Sequence, residues 1–217
     1  GGEDKMELAG RRLKEDKKSG KVEDGSTRIS VAKEAIERLI NQLAEYEGVV
    51  NIAIIPFAFD ADLEDVNDLG LNPNEVQQLI DYVNDLNATG ATNYEVAFDA
   101  TRSWFLNQDN DYENVSYFVT DGNPTVYGTS TSSGGTTNQI DVTRALEAYE
   151  GLSDISQVKA IGIGKGINEI PGRSIAQHDG IKQRGILRLQ TVATLDISMA
   201  NGAVRKGHST ARYGHLT

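Results

Sequence analysis

Two patterns of apolar residues alternate along this chain: apolar residues at helical spacing, and short continuous apolar runs. One stretch has them at helical spacing, namely Ile29, Ala32, Ile36, Leu39 and Leu43. This spacing predicts an amphipathic helix that continues to about Tyr46, where Gly48 ends it. The continuous apolar run Val49–Phe57 then predicts a buried strand. A helix followed by a strand that is apolar on both faces is typical of a parallel sheet covered by helices.

The same alternation continues to residue 164. In order, it predicts a helix opened by Asn72-Pro73, a helix from Tyr94, a strand over 115–120, a helix over 138–149 and a strand over 158–164. Alternating elements of this kind predict an α/β fold with a doubly wound, mostly parallel sheet flanked by helices. Past Pro171 the pattern weakens. One strand is predicted within 186–199, and 192–196 is its most apolar part.

The two ends of the chain differ from its middle. Residues 1–25 carry seven basic and seven acidic side chains and predict a charged arm or insertion. Residues 201–217 contain Arg205, Lys206 and Arg212 but no acid, which predicts a basic, poorly ordered tail. The part between, 26–200, is expected to form a single domain. The Gly1-Gly2 start without an initiator methionine favours a piece of a longer chain.

Charge and composition exclude several classes of function. The formal net charge of −11 argues against nucleic-acid binding and against an anionic membrane surface, and favours cationic partners or metal ions. The absence of cysteine excludes disulfides, thiolate zinc sites and thiol nucleophiles. No apolar run reaches the length needed for membrane insertion. No nucleotide-binding loop, Gly-x-Ser-x-Gly turn or histidine motif occurs, so we expect no enzyme.

The strongest candidate for a site lies at the end of the strand over 115–120. Asp121 ends this run and is followed at once by the turn Gly122-Asn123-Pro124. Open α/β sheets bind ligands at the carboxyl ends of their strands, although such an aspartate can also simply cap its turn. Two other acidic clusters are weaker candidates. Asp60–Glu64 loosely resembles a calcium loop but lacks its glycine and distal glutamate, and Asp109–Asp111 is typical of a turn.

Two motifs resemble a known family. Gly90-Ala91-Thr92-Asn93-Tyr94 before a helix, and Phe118-Val119-Thr120-Asp121-Gly122-Asn123-Pro124-Thr125 after a strand, resemble the second and third parts of the metal-ion-dependent adhesion site of von Willebrand factor A domains. The order of elements from Thr27 to Gly164 is similar too. The residues of the motifs most resemble those of A domains from large bacterial surface adhesins. The resemblance implies a divalent cation, Ca²⁺ or Mg²⁺, held by Thr92 and Asp121. The alternative for Thr92 is a helix N-cap.

The chain departs from the family at the first motif. That motif, Asp-x-Ser-x-Ser, normally ends a central first strand just before the first helix, and residues 1–26 supply neither strand nor motif. Three explanations are open. The chain was cut after the motif; or 192–198 is the missing strand in a permuted order; or 191–196 is an edge strand and Asp196 a surface residue. In the permuted order Asp196 and Ser198 match the motif and become further candidate ligands, while Ala200 replaces the second serine.

The resemblance also implies a function. It suggests a metal-dependent adhesion or ligand-binding module of a bacterial cell-surface or secreted adhesin, extracellular and active in attachment or biofilm. A protein or other surface ligand would offer a carboxylate that completes the shell of the cation. The alternative is a spacer domain that calcium stiffens and that binds no ligand at the metal site.

Overall fold

The computed structural model describes residues 27–129, 135–163, 188–199 and 212–214. The predicted arm over 1–25 lies outside these residues. The described parts contain four helices: α1 (Arg28–Ala44), α2 (Pro73–Asp85), α3 (Tyr94–Leu106) and α4 (Gln139–Ser153). They also contain six strands: β1 (Val49–Phe57), β2 (Glu64–Val66), β3 (Glu113–Thr120), β4 (Gln157–Gly162), β5 (Arg188–Asp196) and β6 (Arg212–Gly214).

The helices begin at polar residues that satisfy their free amides. Thr27 caps α1, since its Oγ1 accepts from the Ser30 amide at 3.2 Å while Ser30 Oγ accepts from the Thr27 amide at 2.8 Å. Asn72 caps α2, whose first residue is Pro73. These local signals are readable in the sequence, and the four helices predicted between 29 and 149 are confirmed.

The six strands form one sheet in the order β2-β1-β5-β3-β4-β6. The four inner strands run parallel, and the short edge strands β2 and β6 pair antiparallel with β1 and β4. The predicted doubly wound, mostly parallel sheet is therefore confirmed.

Strand β5 occupies the central position of the sheet. It pairs along its whole length with β1, from Val49 opposite Arg188 to Phe57 opposite Asp196, and it pairs with β3 on its other edge. The permuted order is thus the one observed. The prediction of an edge strand with a surface Asp196 is wrong, because β5 is hydrogen-bonded on both edges and Asp196 is 0% exposed.

Helices cover both faces of the sheet. In β1, Val50, Ile52 and Ile54 pack on the side of α1 and α2, whereas Ala53, Ile55 and Phe57 pack on the side of α3 and α4. This alternation follows from the twofold period of a strand. Because the described helices cover both faces, polar groups of the inner strands reach solvent at the strand ends, which is where the candidate site residues lie.

The structure differs from the sequence prediction at both edges. The acidic stretch after β1 forms a hairpin: Ala61 pairs with Phe57, and β2 follows, with the side chains of Asp60, Asp62 and Glu64 exposed. A hairpin strand begins at Glu64, so this stretch does not have the form of a calcium loop. Asp109–Asp111 is a turn, in which Asp109 Oδ1 accepts from the Asp111 amide at 3.0 Å.

The predicted basic tail contains strand β6. Its backbone pairs with β4, with Ile161 opposite Tyr213, so the prediction of a poorly ordered tail is wrong for Arg212–Gly214. Charge composition misled here because an edge strand is held by backbone hydrogen bonds and needs few apolar side chains. The remainder of 201–217 lies outside the part of the chain that the structure describes.

Candidate functional site

The centre of the site is Asp196, the last residue of β5. Its Oδ1 accepts hydrogen bonds from the Ser198 amide at 2.8 Å and from Ser198 Oγ at 2.5 Å, and its Oδ2 accepts from Thr120 Oγ1 at 2.7 Å. The strand pairing fixes its backbone, and these three bonds fix its carboxyl group. Asp196 and Ser198 therefore form a rigid pair at the carboxyl edge of the sheet.

Thr92 reaches the same pair from the loop before α3. Its Oγ1 lies 2.6 Å from Ser198 Oγ, and because Ser198 donates its single hydroxyl proton to Asp196, Thr92 is the donor in this hydrogen bond. The backbone of Thr92 is held by Thr125, whose amide donates to the Thr92 carbonyl at 2.8 Å and whose Oγ1 accepts from the Thr92 amide at 3.1 Å. The N-cap of α3 is Asn93, which accepts from the Val96 amide at 3.3 Å, so the alternative of Thr92 as the cap is wrong.

Asp121 follows β3 and makes a long-range ion pair. Its Oδ2 accepts a hydrogen bond at 2.7 Å from Nη1 of Arg28, which is the first residue of α1. The side chain of Asp121 is 12% exposed and that of Arg28 is 26% exposed. Because its carboxylate reaches a distant element of the chain, Asp121 does more than cap its own turn.

Burial sets the electrostatics of the two carboxyl groups. It raises the pKa of Asp196 to about 6, against the lowering effect of the bonds from Ser198 and Thr120, and the nearby charge of Asp121 raises it further. Burial likewise raises the pKa of Asp121, and the Arg28 guanidinium opposes this. A carboxyl group whose ionisation is disfavoured by burial and by a neighbouring carboxylate creates a place where a positive charge is stabilised.

Three residues of the site escaped sequence reasoning, namely Arg28, Tyr94 and Thr120. The single hydroxyl proton of Tyr94 is shared between Thr120 Oγ1, at 3.1 Å, and the Gly122 carbonyl, and burial raises the pKa of Tyr94, so the hydroxyl keeps this proton. Thr120 lies next to Asp121 at the buried end of a strand, which was an available signal. Arg28 also gave a signal in the sequence. A positively charged residue in the first turn of a helix is unfavourable, which indicates that it has a negatively charged partner elsewhere.

The assembled groups suit a hard cation. Asp121 and Asp196 offer carboxylate oxygens, and Thr92, Ser198 and Thr120 offer hydroxyl oxygens, the ligand types that Ca²⁺ and Mg²⁺ prefer. Within the described ranges there is no group of three or more acidic or histidine side chains suited to a metal ion. A cation here would therefore depend on hydroxyls as well as on two carboxylates.

Comparison with known proteins agrees with the fold. Residues 17–123 match the family model of the von Willebrand factor type A domain, which supports a von Willebrand factor A domain in this chain. The matched range includes Thr92 and Asp121 and ends before β5, so the placement of Asp196 and Ser198 comes from the structure alone. A search of curated proteins finds no match. None of the helices described above is long and apolar enough to cross a membrane.

The raised pKa of Asp196 predicts a pH-dependent stability. The folded protein holds this proton more tightly than the unfolded chain, so the contribution of Asp196 to stability is fully present below the ordinary pKa of 3.8 and is lost as the pH rises to about 6. The loss attributable to Asp196 is roughly 3 kcal/mol. Asp196→Asn, whose amide can reproduce the bonding of a protonated carboxyl, should remove this part of the slope.

Urea unfolding between pH 3.5 and 7 in the presence of a chelator measures the effect. Asp81→Asn, an exposed acid on α2, is the matched control and should keep the slope of the wild type. A slope that is identical in wild type and Asp196→Asn would contradict the assignment.

Proposed function

We propose that this domain is a non-enzymatic, metal-dependent ligand-binding module of a bacterial cell-surface or secreted adhesin. The observation that carries the proposal is the meeting of Thr92, Asp121, Asp196 and Ser198, from three separate parts of the chain, at the carboxyl edge of one parallel sheet. Parallel α/β sheets bind their ligands at this edge. The family match over the region that contains Thr92 and Asp121 supports the same reading.

The proposed cofactor is Ca²⁺ or Mg²⁺. Thr92, Ser198 and Asp121 would hold it, and Asp196 would orient Ser198 through its two bonds or contribute an oxygen itself. A bound cation supplies a positive centre able to accept an oxygen from another molecule. The role of the protein is to present hydroxyl oxygens in fixed positions, which the bonds to Asp196 and those to the amide and hydroxyl of Thr125 accomplish.

The charges at the site favour a partner that offers a carboxylate. A divalent cation beside two carboxylates and the Arg28 guanidinium leaves about one net positive charge. This charge would be a local exception on a protein whose formal net charge is −11. A single well-placed carboxylate of a protein or other surface ligand therefore fits better than a diffuse anionic surface.

A second candidate function is a calcium-stiffened spacer. One observation favours it: Asp196 is 0% exposed and the side chain of Asp121 only 12% exposed, so an ion between them would be largely enclosed by this chain. An enclosed ion would join β3, β5 and the Thr92 loop and raise stability without engaging a partner. The two functions share cation binding and differ in whether the cation mediates attachment.

Cation binding is the first testable requirement. We expect Ca²⁺ or Mg²⁺ at about 100 times its Kd to stabilise the fold by about 2.7 kcal/mol, because it binds the folded state only. Asp121→Asn should abolish this gain while the chain stays folded, since the side chain lies at a strand end outside the apolar core. Thermal melts with and without chelator, together with titration calorimetry, measure both effects.

The controls are exposed acids from the two weaker clusters. Asp60→Asn and Asp109→Asn should bind the cation as the wild type does. Equal melting temperatures with and without chelator in the wild type, or undiminished binding by Asp121→Asn, would argue against this site.

Attachment is the second requirement and separates the two functions. Thr92→Val removes one hydroxyl ligand at nearly constant volume, so we expect binding to host-cell or biofilm surfaces to fall at least tenfold, to the level that the wild type shows in chelator. Thr143→Val, which removes an exposed hydroxyl on α4, is the control and should bind normally. Surface binding that survives both Thr92→Val and chelator would leave the spacer as the better account.

A further inference from the structure

Arg28 places a fixed positive charge on a residue that the proposed function assigns to a cation. Its Nη1 donates to Asp121 Oδ2 at 2.7 Å, an ion pair in which both side chains are largely shielded from water. The guanidinium therefore occupies one of the carboxylate oxygens that a divalent cation would use. Arginine remains charged at any physiological pH, so this occupancy cannot be relieved by titration of Arg28.

The position of Arg28 in its helix is unfavourable without this contact. It is the first residue of α1, where the helix dipole is positive, and the first turn of α1 contains no acidic residue. A cation at this position typically destabilises a helix, whereas an anion stabilises it. The ion pair with Asp121 offsets this effect and explains how an arginine is accommodated there.

One nitrogen of the guanidinium lacks a hydrogen-bond partner. Its Nε is buried and has no hydrogen-bond partner among the residues that the structure describes. A buried donor without a partner is destabilising, and water would satisfy it. Since the side chain is already 26% exposed, a swing of the guanidinium toward solvent would hydrate Nε at the same time as it releases Asp121.

We propose that Arg28 is a built-in competitor of the divalent cation for Asp121 and thereby sets the affinity of the site. The inference rests on the proposed function, because it needs a cation that uses Asp121. Cation binding then exchanges one positive partner of Asp121 for another, and the free energy of breaking the ion pair is subtracted from the free energy of binding. The affinity of the site for the cation would therefore be lower than its oxygen ligands alone would give, and a higher cation concentration would be needed to fill it.

The test compares Arg28→Gln with a charge-matched control on the same helix. Arg38→Gln removes one positive charge from α1 at an exposed position, where Arg38 pairs loosely with Glu34 at 3.8 Å. Calorimetric titration with Ca²⁺ and, separately, with Mg²⁺ should show about tenfold tighter binding for Arg28→Gln, and a change below about twofold for Arg38→Gln. Arg28→Lys, which keeps the charge but loses the fork of donors, should lie between wild type and Arg28→Gln.

Stability gives a second, independent measurement. In chelator, Arg28→Gln should melt below the wild type, because Asp121 loses its partner. In saturating cation the order should reverse or the difference should vanish, because the cation replaces the lost partner. Equal or weaker cation affinity of a folded Arg28→Gln would overturn the inference, since Arg28 would then assist the cation or be indifferent to it.

The outcomes separate this inference from the function on which it rests. Cation binding by wild type that Asp121→Asn abolishes and Arg28→Gln leaves unchanged overturns the competitor role and keeps the function. Binding by Arg28→Gln where the wild type binds too weakly to measure supports both. An absence of binding in wild type, Arg28→Gln and Arg28→Lys alike overturns both.

Discussion

The structure depends on the pairing of β5 with β1 on one edge and β3 on the other. This pairing carries Asp196 to the carboxyl edge, directly opposite Phe57. The chain just beyond is tied down as well: the Ile197 amide donates to the Phe57 carbonyl at 2.9 Å, and the Ile197 carbonyl accepts from the Thr89 amide at 2.8 Å. The Thr92 loop is thus positioned by the strand that also delivers Ser198. Without β5 in the centre, nothing would hold Asp196, Ser198 and the Thr92 loop next to one another.

The hydrogen bonds of the site explain how two carboxyl groups are accommodated so close to the core. Burying a carboxylate is unfavourable unless it is paired or hydrogen-bonded. Asp196 is satisfied by Ser198 and Thr120, and Asp121 by Arg28. The same bonds hold hydroxyl oxygens in fixed positions, which is what a hard cation requires. Stability and proposed function therefore draw on one set of contacts, and Arg28 is the point at which they conflict.

Much of the fold was predictable because its signals are local. The apolar period of α1, the caps at Thr27 and Asn72, and the continuous run of β1 are each contained in a short stretch. The resemblance of two motifs to a known family implied that Thr92 and Asp121 share a site, and the structure links each to the Asp196–Ser198 pair, through a hydrogen bond or through charge.

The position of β5 could not be read from the sequence in the same way. Four of its buried residues are polar, namely Gln190, Thr191, Thr194 and Asp196, so its hydropathy resembles that of an edge strand. Its neighbours in the sheet lie far away along the chain, and no local pattern specifies such a pairing. The contacts of Thr120 and Arg28 could not be predicted either, because their partners, Asp196 and Asp121, are far away along the chain and become adjacent only in the folded structure.

Residue-resolved hydrogen exchange of the β5 amides tests the central position of this strand most directly. Successive backbone amides of a strand point to opposite neighbours, so a central strand protects all of them and an edge strand only every second one. We expect uniformly slow exchange for consecutive amides over 190–195, close to the rate set by global unfolding. Slow and fast amides in alternation over this stretch would contradict the central placement of β5, and with it the assembly of Asp196 and Ser198 into the site.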